Sequence, residues 1–417
     1  MSGTPFSIVF RFILPIFIMA GQWYLLKRTR RFLKTTPLLP QWLNPLATFS
    51  FILFNALFLV LIFSQLSPAG APRLFLYVIV YPTYVWEGAT FFIFMVLAVA
   101  RLIRFPFDGL IRIGKKISPV KRKITTVKSN PNFERFDNSR RMFLKTGAVA
   151  ISAYSFIGAT KGIIERGRYD VIDKTVRIRN LPQEFNGFTI GLMSDIHSSI
   201  FMTKEEMVDY AAALNNVKAD VIFVPGDFVN SRTEEVYPCA EAFSVLRAPY
   251  GVYGCLGNHD YYADVEEVAK QIDACGIKLL RNDAVKIQKG SSFINLVGVD
   301  DIPIGATPEA YLRNALSSVH NINPKILLCH KPYYLDSFDA HNIDLTLAGH
   351  THGGQIVFAK IGRALITPAS LVSKYVWGLY KLNKAQMYVT RGIGTVGVPF
   401  RINCPPEITK ITLQSYA

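Results

Sequence analysis

The stretch Phe188-Thr189-Ile190-Gly191-Leu192-Met193-Ser194-Asp195-Ile196-His197 decides how the C-terminal part of this chain is read. Phe188, Ile190 and Leu192 alternate with Thr189, Gly191 and Met193, the period-2 pattern of a strand. The run then delivers a carboxylate and an imidazole two positions apart. Between Lys204 and Asn215, Met207, Tyr210, Ala211 and Leu214 recur at helical spacing, and Val221–Val224 and Val252–Leu256 read as further buried strands. This succession predicts an α/β domain with parallel pairing. Residues 165–417 suffice for one large core.

The same kind of ending recurs after each strand. One runs into Gly226-Asp227-Phe228-Val229-Asn230, another into Gly257-Asn258-His259-Asp260. Lys325–Cys329 ends in His330, and Asp344–Leu347 runs into Gly349-His350-Thr351-His352-Gly353-Gly354. In open α/β sheets, sites form at the carboxyl ends of strands. Five of the seven histidines sit in these blocks, which core packing does not explain; His320 and His341 lie outside them and read as surface residues. Mixed carboxylate, imidazole and amide donors suit a pair of borderline divalent cations rather than calcium. In Asp195-x-His197 and His350-x-His352, alternate residues point the same way if the backbone is extended.

These blocks resemble those of the calcineurin-like metallophosphoesterases: DxH, GDxx(D/N), GNH(D/E), a lone His and GHxH, all present in order across 187–354. The resemblance implies an α/β/β/α sandwich holding two divalent ions (Mn, Fe or Zn) and hydrolysing phosphoric esters. It implies Asp195, His197 and His352 on one metal, Asp227 bridging, and Asn258, His330 and His350 on the second. His259 would be a nonligand acid near the leaving oxygen, oriented by Asp260. Asn230 stands where many members have Asp, and is left out of the ligand set. Gly349–Gln355 and the tail from Arg391 to Glu407 further resemble a bacterial membrane-associated branch that includes UDP-diacylglucosamine pyrophosphatase-type enzymes.

The N-terminal part is of a different kind. Of the 417 residues, 50% are hydrophobic and 18% charged, and the mean hydropathy is +0.24, which excludes intrinsic disorder and argues against a wholly soluble chain. The net charge of +16 belongs to residues 1–164, with 21 Lys+Arg against 4 Asp+Glu; residues 165–417 hold 25 against 26. These basic residues flank apolar runs, so they read as topology charges rather than a nucleic-acid surface. Phe6–Leu26 (interrupted by Arg11), Pro45–Leu66 and Leu74–Ala100 (with Glu87) each have the length of a membrane span. Glu87 reads as a polar intramembrane site, an interfacial group or an Arg11 partner. Lysines and arginines between the first two spans and from Arg101 to Lys145 place those loops in the cytoplasm.

Ser139-Arg140-Arg141-Met142-Phe143-Leu144-Lys145 resembles a twin-arginine export signal, followed by an apolar run from Thr146 to Ile164. An ordinary fourth span is the alternative, and either reading leaves the residues after Ile164 outside. The expected organisation is three spans in 1–104, a basic cytoplasmic linker in 105–145, an uncleaved anchor in 146–164 and the metallophosphoesterase domain in 165–417. The expectation is thus a multi-pass protein of a bacterial inner membrane whose catalytic domain faces the periplasm. Its partners would be membrane lipid, the twin-arginine translocase during export, and a phosphorylated small-molecule or lipid-linked substrate. A sensor or scaffold that binds a phosphorylated ligand without turnover is the alternative from another class. A transport role for the spans ranks last, since they show no repeat.

Cys239, Cys255, Cys275, Cys329 and Cys404 have no CxxC spacing, and an odd count leaves at least one unpaired within the chain. Cys255 and Cys329 lie in apolar runs and read as core residues. Gly392-Ile393-Gly394-Thr395-Val396-Gly397 matches GxGxxG, but Val398-Pro399 follows instead of a helix, so a tight loop near the metal rim is expected. Tyr261, Tyr262, Tyr333, Tyr334 and Trp377 are candidates for a substrate groove, and Arg401 for a phosphate contact or a structural ion pair.

Overall fold

The computed structural model describes residues 13–36, 39–63, 72–120, 126–127, 131–303, 305–319, 322–362 and 364–416. The chain divides into two compact units, the main part of the second running from Gly162 onward.

The first unit is helical. Leu43–Phe63, Arg73–Gly114 and Pro131–Glu165 are long and apolar enough to cross a membrane. The expected first span begins outside the described residues, where Arg11 also lies. Its described part belongs to the helix Leu14–Lys34, which ends in a basic turn with Arg31 and Lys34. A π turn over Leu76–Val80 precedes Pro82, whose missing N–H interrupts the regular ladder. Glu87 is buried, and its partner is Gln22, whose Nε2 donates to Glu87 Oε2 and to Thr90 Oγ1, each at 2.6 Å. Amide-to-carboxyl bonds of this kind join helices in a medium without water. Arg140 and Arg141 sit within the helix Pro131–Glu165, both paired with Asp137 at 2.7 Å. Much of the stretch expected as a linker is therefore helical.

The second unit is built on two six-stranded sheets. In the first, the order is β1 (Asp170–Arg179), β14 (Glu407–Tyr416), β2 (Thr189–Leu192), β3 (Val221–Pro225), β4 (Val252–Cys255) and β5 (Lys278–Leu279). In the second it is β12 (Gly378–Leu382), β13 (Ala385–Val389), β9 (Leu345–Ala348), β8 (Lys325–Leu328), β7 (Ser292–Gly298) and β6 (Asp283–Lys289). The strands that carry the motif loops run parallel, as expected: β2–β3–β4 in one sheet and β8–β9 in the other. The sheets are nonetheless mixed. β14 inserts antiparallel to β2, and the pairs β6–β7 and β12–β13 are antiparallel hairpins.

Strand periodicity sorts the apolar residues into layers. Ile190, Leu192, Val221 and Phe223 of the first sheet meet Ile294, Leu296, Ile326, Leu328, Leu345 and Leu347 of the second in one buried core. Ile222 and Val224 point the other way, onto Met207, Leu214, Val236, Phe243, Val268 and Ile272 of the helices Lys204–Asn216, Val236–Phe243 and Val265–Ala274. Val297, Leu327 and Val389 face Leu312 and Phe338 of the helices Glu309–Ala315 and Leu335–Ala340. The result is the α/β/β/α sandwich. Thr203 caps the first helix in a reciprocal box with Glu206. The five cysteines are free thiols, with Cys255 and Cys329 buried in the core.

Leu328 is fully buried between the sheets, one residue before the loop that carries His330. Leu328→Ala is expected to cost about 2–5 kcal/mol of stability, read from denaturant unfolding of the purified protein. A loss well below that would mean that the sheets do not pack through this position.

Candidate metal centre

The loops after β2, β3, β4, β8 and β9 converge, and three groups of donor atoms lie within 4.8 Å of one another: Asp195 with His197 and His352, His197 with Asp227 and His259, and Asp227 with His330 and His350. Asp227 Oδ2 stands 3.4 Å from His197 Nε2 and 3.0 Å from His330 Nε2. His352 Nε2 lies 3.6 Å from Asp195 Oδ1. The Asp227–His330 approach is off the hydrogen-bond line, since His330 Nε2 finds no hydrogen-bond partner. Two donors on one cation, each at about 2.0–2.2 Å, stand apart by this kind of distance.

The backbone that makes this possible is not extended. Asp195 (φ 54), His197 (φ 50), Asp227 (φ 57), His350 (φ 70) and His352 (φ 51) all take left-handed conformations. The alternate residues of the two motifs therefore meet through sharp bends, which corrects the extended-backbone expectation. Such a conformation costs a non-glycine residue about 1–3 kcal/mol and persists only where the surroundings hold it. Here backbone bonds tie the bends together: Asp195 N–H donates to Gly226 O at 3.1 Å and His197 N–H to Asp227 O at 3.0 Å. Each carboxylate is also fixed through one oxygen. Asp195 Oδ1 accepts His350 N–H at 2.7 Å, and Asp227 Oδ1 accepts His259 N–H at 2.8 Å.

The donor set fits divalent ions. Asp195 Oδ2, both ring nitrogens of His197, His330 Nε2, His352 Nδ1 and Asn258 Oδ1 are buried without a hydrogen-bond partner. Each such atom costs about 1–3 kcal/mol when nothing satisfies it. Burial holds the His197 and His352 imidazoles well below their ordinary pKa and brings His350 down to about 3, so all three offer lone pairs. At His330, burial opposes protonation but the Asp227 carboxylate outweighs it, raising the pKa to about 10; a cation would displace that proton. Burial raises Asp195 to about 6.

Asp260 and His259 do not relate as the sequence suggested. The Asp260 carboxylate is fully buried and accepts four backbone N–H groups, from Asp227 (3.0 Å), Phe228 (2.8 Å), Val229 (3.2 Å) and Gly257 (2.8 Å). It staples the loop after β3 to the loop after β4 and does not hold the His259 ring. That task falls to the Asn230 carbonyl, which meets His259 Nδ1. Asn230, set aside as a ligand, thus belongs to the site through its backbone. Its own N–H, with those of Ser231 and Arg232, is gathered by Glu235 Oε2 at 2.8–3.0 Å. Nothing in the spacing of Glu235 could have marked it, because it acts on main-chain atoms.

The GxGxxG stretch is a tight loop against the rim. Ile393 N–H donates to Ser194 O at 3.0 Å and Gly394 N–H to Asp195 O at 2.7 Å. A Cβ on Gly392 (φ 62) would lie 2.6 Å from Asp195 Cβ, and one on Gly257 would fall on Asp227 Oδ1. Arg401 contacts neither a phosphate site nor an acid. It is fully buried, and its guanidinium donates to the carbonyls of Gly394 (2.6 Å), Arg391 (2.9 Å), Gly392 (3.2 Å) and Cys404 (3.2 Å). Of the five aromatics, Tyr262 packs on His259 and Tyr333 on His350, with centroids 4.8 and 5.5 Å apart. Tyr261 and Tyr334 serve loops, with Tyr261 bonded to Arg281 and Tyr334 to the Pro303 carbonyl. His341 is half-buried and bonded to Ser337 O rather than on the open surface, and His320 lies outside the described residues.

Comparison with known proteins follows the same outline. The family model for calcineurin-like phosphoesterases matches residues 188–354. YkuE of Bacillus subtilis, described as an uncharacterized metallophosphoesterase, is 31% identical over 66% of this chain and 98% of its own length. The phosphodiesterase YaeI of Escherichia coli is 29% identical over 66% of this chain and 99% of its own. A transmembrane protein with a metallophosphoesterase domain from Danio rerio is 29% identical over 74% of this chain and 69% of its own. A solved dimetal phosphatase from Danio rerio aligns over 50% of this chain and 88% of its own, at 11% identity and a TM-score of 0.25.

Removing the Asp260 carboxylate leaves four buried N–H groups without an acceptor, at about 1–3 kcal/mol each. Asp260→Ala is expected to lower the melting temperature and the bound-metal content together, measured by thermal unfolding and elemental analysis. Unchanged melting with full metal content would return Asp260 to a role confined to His259.

Proposed function

The chain belongs to the calcineurin-like metallophosphoesterases, and on that premise we propose that it hydrolyses a phosphodiester, phosphomonoester or pyrophosphate bond on the extracytoplasmic face of a bacterial inner membrane. The observation that carries the proposal is the set of donor groups that meet at Asp227. In this reading Asp195, His197 and His352 hold one ion and Asn258, His330 and His350 the other, with Asp227 between them. Two divalent cations there, Mn, Fe or Zn, would supply Lewis acidity toward the phosphoryl oxygens and lower the pKa of an attacking water.

The chain's own residues then have defined tasks. The Asn230 carbonyl accepts His259 Nδ1–H, which fixes the ring and leaves Nε2 as the free position. In the imidazolium form, Nε2–H can pass its proton to the departing oxygen as the P–O bond breaks, while the attacking water, having released one proton to solvent, forms the new P–O bond as hydroxide. Tyr262 against the His259 ring restricts its rotation. The three apolar helices and the twin-arginine-like stretch Ser139–Lys145 support membrane anchoring and export. Anchoring in turn favours a lipid-linked or envelope-derived substrate.

A panel of bis- and mono-p-nitrophenyl phosphate and a nucleotide-linked glycolipid, assayed across several divalent ions, tests the activity. No turnover of any of them with any ion would overturn it. His259→Ala is expected to keep both ions and to lose about 10²–10⁴-fold in kcat, most with poor leaving groups. Asp227→Ala is expected to lose both ions, counted by elemental analysis. Full activity in the first variant, or two ions retained in the second, would reassign these residues. Protease added to intact spheroplasts should cleave the second unit, and protection would reverse the orientation.

A further inference from the structure

Between Gln355 and Trp377 the chain leaves the metal rim and returns to it. The excursion is a two-stranded hairpin, β10 (Ala359–Ile361) and β11 (Ala364–Ile366), followed by a 3₁₀ turn over Pro368–Leu371. Pairing sets Ala359 opposite Ile366, Lys360 opposite Leu365 and Ile361 opposite Ala364. By the period of two, Ala359, Ile361, Ala364 and Ile366 share one face and carry no polar group. The other face is occupied, since Lys360 lies over the Trp377 ring at 5.1 Å.

The apolar face is bare. Ile361 is 68% exposed and Ile366 48%; Phe358, just before the hairpin, is 56% exposed, and Leu371 at 88% and Val372 at 75% lie at the following turn. A two-stranded hairpin gains little from its own ladder, and soluble proteins seldom leave large apolar side chains grouped in water. The base of the hairpin, by contrast, is tied to the metal centre. Buried Thr367 donates its hydroxyl to Gly354 O at 2.9 Å, two residues after His352, and Val357 N–H donates to Ile402 O at 2.9 Å. Trp377, under Lys360, also lies 5.1 Å from the guanidinium of Arg391.

We propose that the hairpin strands Ala359–Ile361 and Ala364–Ile366 and the turn Pro368–Leu371 enter the interfacial layer of a lipid bilayer and bring the metal centre to phosphoesters embedded in it. Two observations select a bilayer over a second copy of the chain. The same polypeptide carries three helices long and apolar enough to cross a membrane, and a chain anchored through them keeps a bilayer within its reach. Close in sequence to the apolar residues are Lys360 over half-buried Trp377, and exposed Lys374, a mixture of cation and amphipathic ring that favours the boundary between headgroups and acyl chains. The inference rests on the proposed phosphoesterase activity for its substrate, and on the hairpin alone for its lipid contact.

The test uses the full chain in proteoliposomes of phosphatidylcholine and phosphatidylglycerol. A nitroxide at Leu371→Cys reports depth by its accessibility to oxygen and to a water-soluble nickel chelate, with the unsubstituted protein as labelling control. Turnover is compared on two diesters with the same leaving group, phosphatidyl-p-nitrophenol in the vesicles and soluble bis-p-nitrophenyl phosphate. The nitroxide is expected in the oxygen-rich, nickel-excluded layer. The double variant Ile361→Asp, Leu371→Asp is expected to lose about tenfold or more in kcat/KM on the lipid diester, and less than about twofold on the soluble one. A nickel-accessible nitroxide overturns the proposal, as do equal effects on both diesters or a nitroxide shielded only in a cross-linkable dimer. If the unsubstituted protein cleaves neither diester, the activity reading fails, while the depth measurement still decides the lipid contact.

Discussion

The Asp260 carboxylate gathers four main-chain N–H groups from two loops that follow different strands, and the site's geometry hangs on that gathering. Asp227 is held in a left-handed conformation between Gly226 and Phe228, and three of the four donors lie at Asp227 or the two residues after it. Without an acceptor there, the bend that turns Asp227 toward His197 and His330 would lose the bonds of its own N–H and the next two, and keep those from His197 N–H and His259 N–H. The fourth donor, Gly257, brings in the loop that supplies Asn258 and His259. A buried carboxyl group whose partners are all backbone N–H groups is rigid, because none of those partners has a side-chain rotamer to change. Glu235 repeats the device on Asn230, Ser231 and Arg232.

Arg401 is the cationic counterpart. Its planar donors collect carbonyls of the 391–394 loop and of Cys404, and that loop in turn hydrogen-bonds the backbone of Ser194 and Asp195. One face of the metal cluster is thereby backed by a segment far along the chain from the residues it supports.

How much of this could be read from residue order depends on what kind of atom does the work. Strand periodicity was legible because it reflects burial, so Ile190 and Leu192 announced β2 and its inner face. The donor side chains were legible because five strand-terminal blocks shared one chemistry. The left-handed bends at Asp195, His197, Asp227, His350 and His352 were not, since non-glycine residues seldom adopt them and the enrichment of Asp and His there is too weak to single out positions. Asp260, Glu235 and Arg401 were misjudged or missed for a common reason. Each has a charged side chain that suggests a charged or reacting partner, whereas its actual partners are peptide groups, which look alike at every position. The insertion of β14 between β1 and β2 escaped notice because pairing partners distant in sequence leave no periodic trace.

That insertion shapes how the domain comes into being. β14 is the last of the fourteen strands among the described residues, yet it fills the gap between β1 and β2, in parallel register with β1 along all ten of its residues. Until the ribosome has released it, β1 has no neighbour and β2 lacks one edge. The first sheet therefore closes only after translation has passed the whole domain, through contacts of very high sequence separation, which form slowly. During that interval the unpaired strand edges invite association with other nascent chains. A chaperone that shields them would shorten the period of risk.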